Sequence, residues 1–142
     1  MRIVFMGTPE YAVTILQNLV RNKFEICAVF TQPDKPVGRK QILTPSPVKL
    51  WSKINLPNTL VFEPVSLKND AISDQIRALS PDFIVVGAYG KILPKAILDI
   101  APCINLHASI LPKFRGASPI QSAILSREKF SGVCAMKMNE GL

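Results

Sequence analysis

Histidine is nearly absent from this chain: His107 is the only one in 142 residues. Three cysteines, Cys27, Cys103 and Cys134, are odd in number and far apart, so no disulfide framework and no metal-ligand spacing can be assembled from them. They read as reduced, mostly buried thiols, and no metal site is expected. Long apolar runs are missing as well. Nothing approaches the roughly 18 to 20 residues a membrane-spanning helix needs. The opening stretch MRIVFMGTPEY lacks the apolar core and small-residue cleavage site of a signal peptide. The expectation is a cytoplasmic protein with no membrane partner. Acids are scarce too, 10 against 17 Lys and Arg, for a formal net charge of +7. That excess serves solubility or draws an anionic partner such as nucleic acid, and charge alone does not choose between them. The phosphate-binding signatures are also absent. The first turn reads Gly7-Thr8-Pro9-Glu10, neither G-x-G-x-x-G nor a Walker A sequence. Gly7 then needs to do no more than make a tight strand-to-helix turn.

What is present is a 48% apolar chain, long enough for one domain with a real core. Arg2 to Met6 reads as a buried strand. A helix follows, with Thr8 as N-cap, Pro9 at its first position, and Ala12, Ile15, Leu16, Leu19 and Val20 at helical spacing. Glu25 to Thr31 is a second strand. Gln32 to Pro47 is too rich in proline and charge for either element and is expected to be a long loop. A short helix over Val48 to Ile54 and a weak strand over Thr59 to Phe62 come next. Leu67 to Leu79 patterns as an amphipathic helix. Asp82 to Ala88 is a continuous apolar strand of the doubly covered, parallel kind. Pro94 to Ile100 is a short helix, CINLH a strand, Ser118 to Arg127 a helix, and Gly132 to Met138 a last strand. The alternation predicts an α/β fold with a doubly wound, mostly parallel sheet, without internal repeat or linker.

In such a sheet ligands bind outside the carboxyl ends of the strands. Asn105 and His107 stand two apart in a strand, so their side chains leave the same face and Leu106 the other. An amide donor beside an imidazole suits a reaction that develops charge on oxygen and moves a proton near neutral pH. The bland alternative is a histidine that hydrogen-bonds a neighbouring loop. Lys35, Arg39 and Lys40 crowd the long loop, where Asp34 is the only acid between Gln32 and Lys53. That loop is either a solvated surface or a phosphate contact. Tyr89, Gly90, Ile92 and Leu93, in AYGKILP, read as core packing or as the apolar wall of a pocket for a flat heteroaromatic ligand.

Taken in order, MRIVFMGTPEYA, VFTQPDKPVGRK, TPSPVK, PVSL, VVGAYGKILP and INLHASILPKFRGASPIQ resemble the methionyl-tRNA formyltransferases, within the wider family of enzymes that use 10-formyltetrahydrofolate. The Asn-x-His before Ser-x-Leu-Pro is shared by the wider group. TQPDKPVGR and RGASPIQ are more specific to the amino-acceptor branch. The resemblance implies a Rossmann-like formyltransferase domain that passes a formyl group from 10-formyltetrahydrofolate to the α-amine of methionyl initiator tRNA, for translation initiation. Asn105 and His107 match two of three catalytic residues: Asn105 donates to the formyl oxygen, and His107 stabilises the oxyanion and assists proton movement. Ser109, Ile110, Leu111 and Pro112, with Tyr89, Gly90, Ile92 and Leu93, are implied to line the folate site. Lys35, Arg39 and Lys40 are implied to meet the tRNA. The family's third catalytic residue is an Asp directly after a Gly-Leu like Gly141-Leu142. Residues 1–142 are therefore expected to be the N-terminal part of a catalytic domain, apparently truncated, without the C-terminal domain, inactive alone and monomeric at full length. Rival readings are a formyltransferase acting on an amino sugar, the hydrolase part of a formyltetrahydrofolate dehydrogenase, and an inactive folate- or RNA-binding fragment. The first two share Asn105, His107 and the Ser-Ile-Leu-Pro loop, and the basic loop separates them from the main reading.

Overall fold

A computed structural model describes residues 1–140. The order of elements is β1 (Arg2–Gly7), α1 (Glu10–Arg21), β2 (Glu25–Phe30), β3 (Lys35–Val37), β4 (Ile42–Thr44), α2 (Pro47–Asn55), β5 (Leu60–Phe62), α3 (Asp70–Ala78), β6 (Phe83–Gly87), α4 (Lys95–Leu98), β7 (Cys103–His107), α5 (Pro119–Leu125) and β8 (Cys134–Lys137). Six strands form one sheet in the order β5-β2-β1-β6-β7-β8. All neighbours pair in parallel except β7 with β8. The expected doubly wound, mostly parallel sheet is therefore present.

Its two faces are built by period-two alternation. Val4 and Met6 of β1 join Phe30, Ile84 and Val86 in one core cluster, with Ile76 and Ile97 from α3 and α4. Ile3 and Phe5 join Val29 and Val85 in the other, with Ala12 and Leu16 of α1 and Val48 of α2. In β2 the alternation breaks once. The β1 register steps from Ile26 to Ala28, and the skipped residue, Cys27, packs on the first cluster beside Ala28. That bulge lets Ile26 and Val29 share a face although they are three apart. Complete burial of side chains such as Phe5, Phe30 and Ile84 contributes about 1.5–3 kcal/mol each.

Helix α1 lies very close to the sheet. A Cβ placed on Gly7 would stand 2.6 Å from the Cβ of Ala12 and 2.9 Å from the carbonyl of Gly87. Gly7 is thus required by close approach of helix and strand, in a turn that needs no nucleotide to explain it.

Several local expectations change. Pro9, not Thr8, is the N-cap of α1, and no side chain caps the helix. The Thr8 hydroxyl donates instead to the Tyr89 carbonyl at 2.9 Å, serving a backbone acceptor at the end of β6. The segment from Gln32 to Pro47 is not all loop, since β3 and β4 pair in an antiparallel hairpin, Lys35 opposite Thr44 and Val37 opposite Ile42. Its turn takes Gly38 at φ +72° and Gln41 at φ +50°, closed by Gln41 N–H to the Gly38 carbonyl at 3.1 Å. Pro36 had argued against a strand there, but a two-stranded ribbon offers the open edge that proline tolerates. Helix α3 starts at Asp70 because Asn69 caps it, accepting from the Ala71 N–H at 2.9 Å. Leu67 precedes the helix and is buried in the first cluster.

Candidate active site

The carboxyl ends of β1, β2, β6 and β7 converge on one edge of the sheet. There, loop ends are cross-linked by buried polar groups. The Tyr89 carbonyl accepts from Thr8 and, at 3.1 Å, from the Gln32 amide. Thr31 and Ser46 hydroxyls meet at 2.6 Å beneath the hairpin. Lys49 of α2 joins Asp34 at 2.7 Å and Glu63 at 2.9 Å, tying the hairpin base to the end of β5. The Lys49 ammonium holds the Asp34 carboxyl below its ordinary value, and the two carboxylates raise Lys49 above its own.

Strand β7 carries Asn105 opposite Val86 of β6 and Met136 of β8, and His107 opposite Cys134. Both polar side chains open into a cleft whose two lobes measure about 680 and 670 Å³. Leu106 packs on the second core cluster, and its carbonyl accepts from the Tyr11 hydroxyl at 3.0 Å. Strand alternation thus puts the amide and the imidazole together. The lobe of about 680 Å³ is lined mainly by apolar groups, Leu93, Leu98, Leu111, Pro112, Met136 and Met138, around those two polar side chains. Lys91, Arg115 and Glu140 add charge at its edges.

His107 also makes the bland contact anticipated for it. Its Nε2 lies 2.9 Å from the carbonyl of Phe114. A carbonyl only accepts, so Nε2 donates, and in the neutral ring Nδ1 keeps the lone pair. Backbone contact and cleft exposure coexist in one side chain.

The remaining residues implied to bind folate separate. Leu93, Leu111, Pro112 and the strongly exposed Ile92 line the cleft. Gly90, at φ +83°, lines the second lobe, and a Cβ there would press on Gln32 at 3.2 Å. Tyr89 reaches that lobe too, yet its side chain is 1% exposed and belongs to the first core cluster. Its hydroxyl has no partner, and burial pushes its pKa up to about 12. Ser109 is completely buried and turned to the Lys113 carbonyl at 2.7 Å, so its side chain does not face the cleft. Ile110 lines a different depression of about 470 Å³ with Phe114 and Phe130. Lys35, Arg39 and Lys40 are exposed on the hairpin. Gly141 and Leu142 lie outside the described residues. Among the described residues no cluster of His, Cys, Asp and Glu could hold a metal ion, and no helix is long and apolar enough to cross a membrane.

Sequence reasoning missed Lys91, Arg115, Met136 of β8 and Met138 just beyond it. Lys91 donates to the carbonyls of Pro64 and Val65, the latter at 2.6 Å. Burial lowers its pKa, and the nearby Lys35 adds to the effect. A lone cation inside the apolar stretch AYGKILP was the available signal.

The whole chain, residues 1–142, matches the family model described as formyl transferase. The chain belongs to the formyl transferase family. It is 66% identical over 142 residues to a methionyl-tRNA formyltransferase of Campylobacter curvus and 65% identical to one of Campylobacter jejuni subsp. doylei. All or nearly all of this chain is matched, against 47% of each relative, so the chain spans about half the length of these curated relatives. Two solved structures show the same fold. A formyltetrahydrofolate deformylase from Pseudomonas syringae superposes with a TM-score of 0.71 at 22% identity, over 98% of this chain and 46% of that one. A methionyl-tRNA formyltransferase from Clostridium thermocellum gives 0.59 at 19% identity, over 99% of this chain and 48% of that one.

Proposed function

We propose that this member of the formyl transferase family supplies the donor cleft and two catalytic side chains of an enzyme that formylates the α-amine of methionyl initiator tRNA. The donor would be 10-formyltetrahydrofolate. The observation that carries the reading is Asn105 and His107 side by side in one apolar cleft. The identity of 66% to a methionyl-tRNA formyltransferase supports this acceptor over an amino sugar or water.

The cleft fits a flat heteroaromatic donor. Its volume lies in the range of small-molecule sites, and its apolar walls surround the Asn105 amide and the His107 imidazole. Leu93, Leu98, Leu111, Pro112 and Met136 would hold the rings. The donor brings an activated formyl carbon. Everything else falls to the protein. The Asn105 amide donates a hydrogen bond to the oxygen on which charge develops, and it is most effective in a water-poor cleft. The free α-amine bonds to the formyl carbon. His107 accepts the proton the amine then sheds at Nδ1, the ring atom that Phe114 leaves free, and returns it to the donor nitrogen as the bond between that nitrogen and the formyl carbon breaks. Lys35, Arg39 and Lys40, exposed on the hairpin, would meet the phosphates of the acceptor RNA. The basic surplus of the chain, +7, favours such a partner.

The test is transfer of a labelled formyl group to methionyl-tRNA, by the 142-residue chain and by the same chain carried on to the full length of its relatives. Transfer by the extended protein, with none above background by the shorter one, is expected. An extended protein that leaves the tRNA unmodified, yet hydrolyses the donor or formylates an amino sugar, would overturn the acceptor assignment.

A further inference from the structure

We infer that Ser109 is a positioning residue for the reaction proposed above: through the turn it closes, it determines which nitrogen of His107 carries the proton. The resemblance implies that Ser109 lines the folate site, yet its side chain is completely buried and faces the interior, not the cleft. The hydroxyl is spent inside the protein. It donates to the carbonyl of Lys113 at 2.7 Å.

That bond closes a compact turn immediately after the catalytic strand. The Ser109 N–H donates to the His107 carbonyl at 2.9 Å, and the Lys113 N–H to the Ile110 carbonyl at 3.2 Å. The next residue, Phe114, sits in the left-handed region at φ +55°, a conformation a bulky side chain adopts only when its surroundings impose it. Held there, Phe114 presents its carbonyl to His107 Nε2 at 2.9 Å. The chain of contacts therefore runs from the Ser109 hydroxyl, through Lys113 and Phe114, back to the imidazole two residues before Ser109. At its far side the turn is fastened once more, by the Leu111 N–H to the Cys134 sulfur at 3.4 Å.

The chemical consequence follows from donor and acceptor inventories. The Phe114 carbonyl cannot donate, so it selects the tautomer protonated on Nε2 and leaves Nδ1 as the base. Removing the Ser109 hydroxyl would strand a carbonyl in the turn and free Phe114 to relax from positive φ. The imidazole would then lose both its tautomer bias and its fixed orientation, while Asn105 and the walls from Leu93, Leu98 and Met136 stayed in place and Leu111 stayed fastened to Cys134. Such a defect acts on proton transfer and not on binding.

His107 is the only histidine of the 142-residue chain, so every imidazole signal in its nitrogen NMR spectrum belongs to this site. In the wild type the ring proton is expected on Nε2, with slowed exchange against solvent. A ring proton found on Nδ1 overturns the proposal on the wild type alone, whether or not any variant folds. Ser109→Ala is expected to speed exchange of that proton about tenfold or more. In the extended enzyme it should lower kcat by about 5- to 100-fold, the range for a buried hydrogen bond lost, with both KM values unchanged. Ser109→Thr, which keeps the hydroxyl, should restore both readouts. Ser52→Ala, which removes a buried hydroxyl that has no partner, should move neither. A kcat loss in Ser109→Ala with the ring proton unaltered would reduce Ser109 to a structural residue and sink the idea. If the extended enzyme proves silent towards methionyl-tRNA while the ring proton behaves as described, the acceptor assignment fails and the tautomer control stands.

Discussion

The end of β7 and the hairpin of β3 and β4 both rise from the ligand edge of the sheet, yet they are held in opposite ways. Around the end of β7 the loop is tied by internal hydrogen bonds: Ser109 with Lys113, His107 with Phe114, Leu106 with Tyr11. The hairpin is anchored at its base, by Thr31 with Ser46, by Gln32 with Tyr89 and by Lys49 with Asp34 and Glu63. Its tip exposes Val37, Ile42 and Leu43 beside Arg39 and Lys40. The difference suits the two tasks proposed for these regions. Chemistry needs side chains fixed to fractions of an ångström, whereas a large, charged partner is met by a projecting arm that adjusts to it.

The largest effect should come from the fixed side. In the extended enzyme, His107→Ala is expected to cut turnover by about 10² to 10⁴ while the thermal midpoint barely moves, because the ring is only partly buried at a strand end. Turnover near wild type would erase the distinction between the two regions as far as catalysis goes.

A smaller and different effect should come from the arm. Arg39→Ala with Lys40→Ala is expected to weaken the apparent tRNA affinity and flatten its salt dependence, lowering the slope by roughly 2 for two lost phosphate contacts. Folate affinity should stay the same. Formylation rates against tRNA concentration at two salt levels measure both quantities. An unchanged slope would show that the arm touches no phosphate.

The smallest effect concerns the anchor of the arm. Lys49 lowers the Asp34 pKa from its ordinary value of 3.8, so the contribution of that carboxylate is complete above 3.8 and is lost as pH falls through the depressed value. Lys49 itself is raised above 10.5, so its contribution is complete below 10.5 and fades as pH climbs through the raised value. The base of the hairpin should therefore be tightest between about pH 4 and 10.5. Titration of the Asp34 carboxyl carbon by NMR should give a midpoint below 3.8, and Lys49→Met should bring it back up. An ordinary midpoint in the wild type would mean the clamp is open in solution.

Much of this was legible in the order of residues. The buried strands, the helices between them and the juxtaposition of Asn105 with His107 follow from local periodicity, since a strand places residues two apart on one face whatever surrounds it. Family membership was legible too, because motifs such as TQPDKPVGRK and INLHASILP run together in the linear text. Three things were not. The hairpin was hidden because Pro36 and the charges around it resemble a loop, and only the pairing of Lys35 with Thr44 makes it a ribbon. The fate of Tyr89 and Ser109 was hidden because a side chain near a site can turn towards the cleft or away from it, and packing chose the interior for both. The state of His107 was hidden most deeply. The chain by itself determined that an imidazole would stand at the end of a parallel strand beside an amide. Only the tertiary structure decided which ring nitrogen is engaged, because that depends on where the carbonyl of Phe114 comes to rest, seven residues away and held there by a buried hydroxyl.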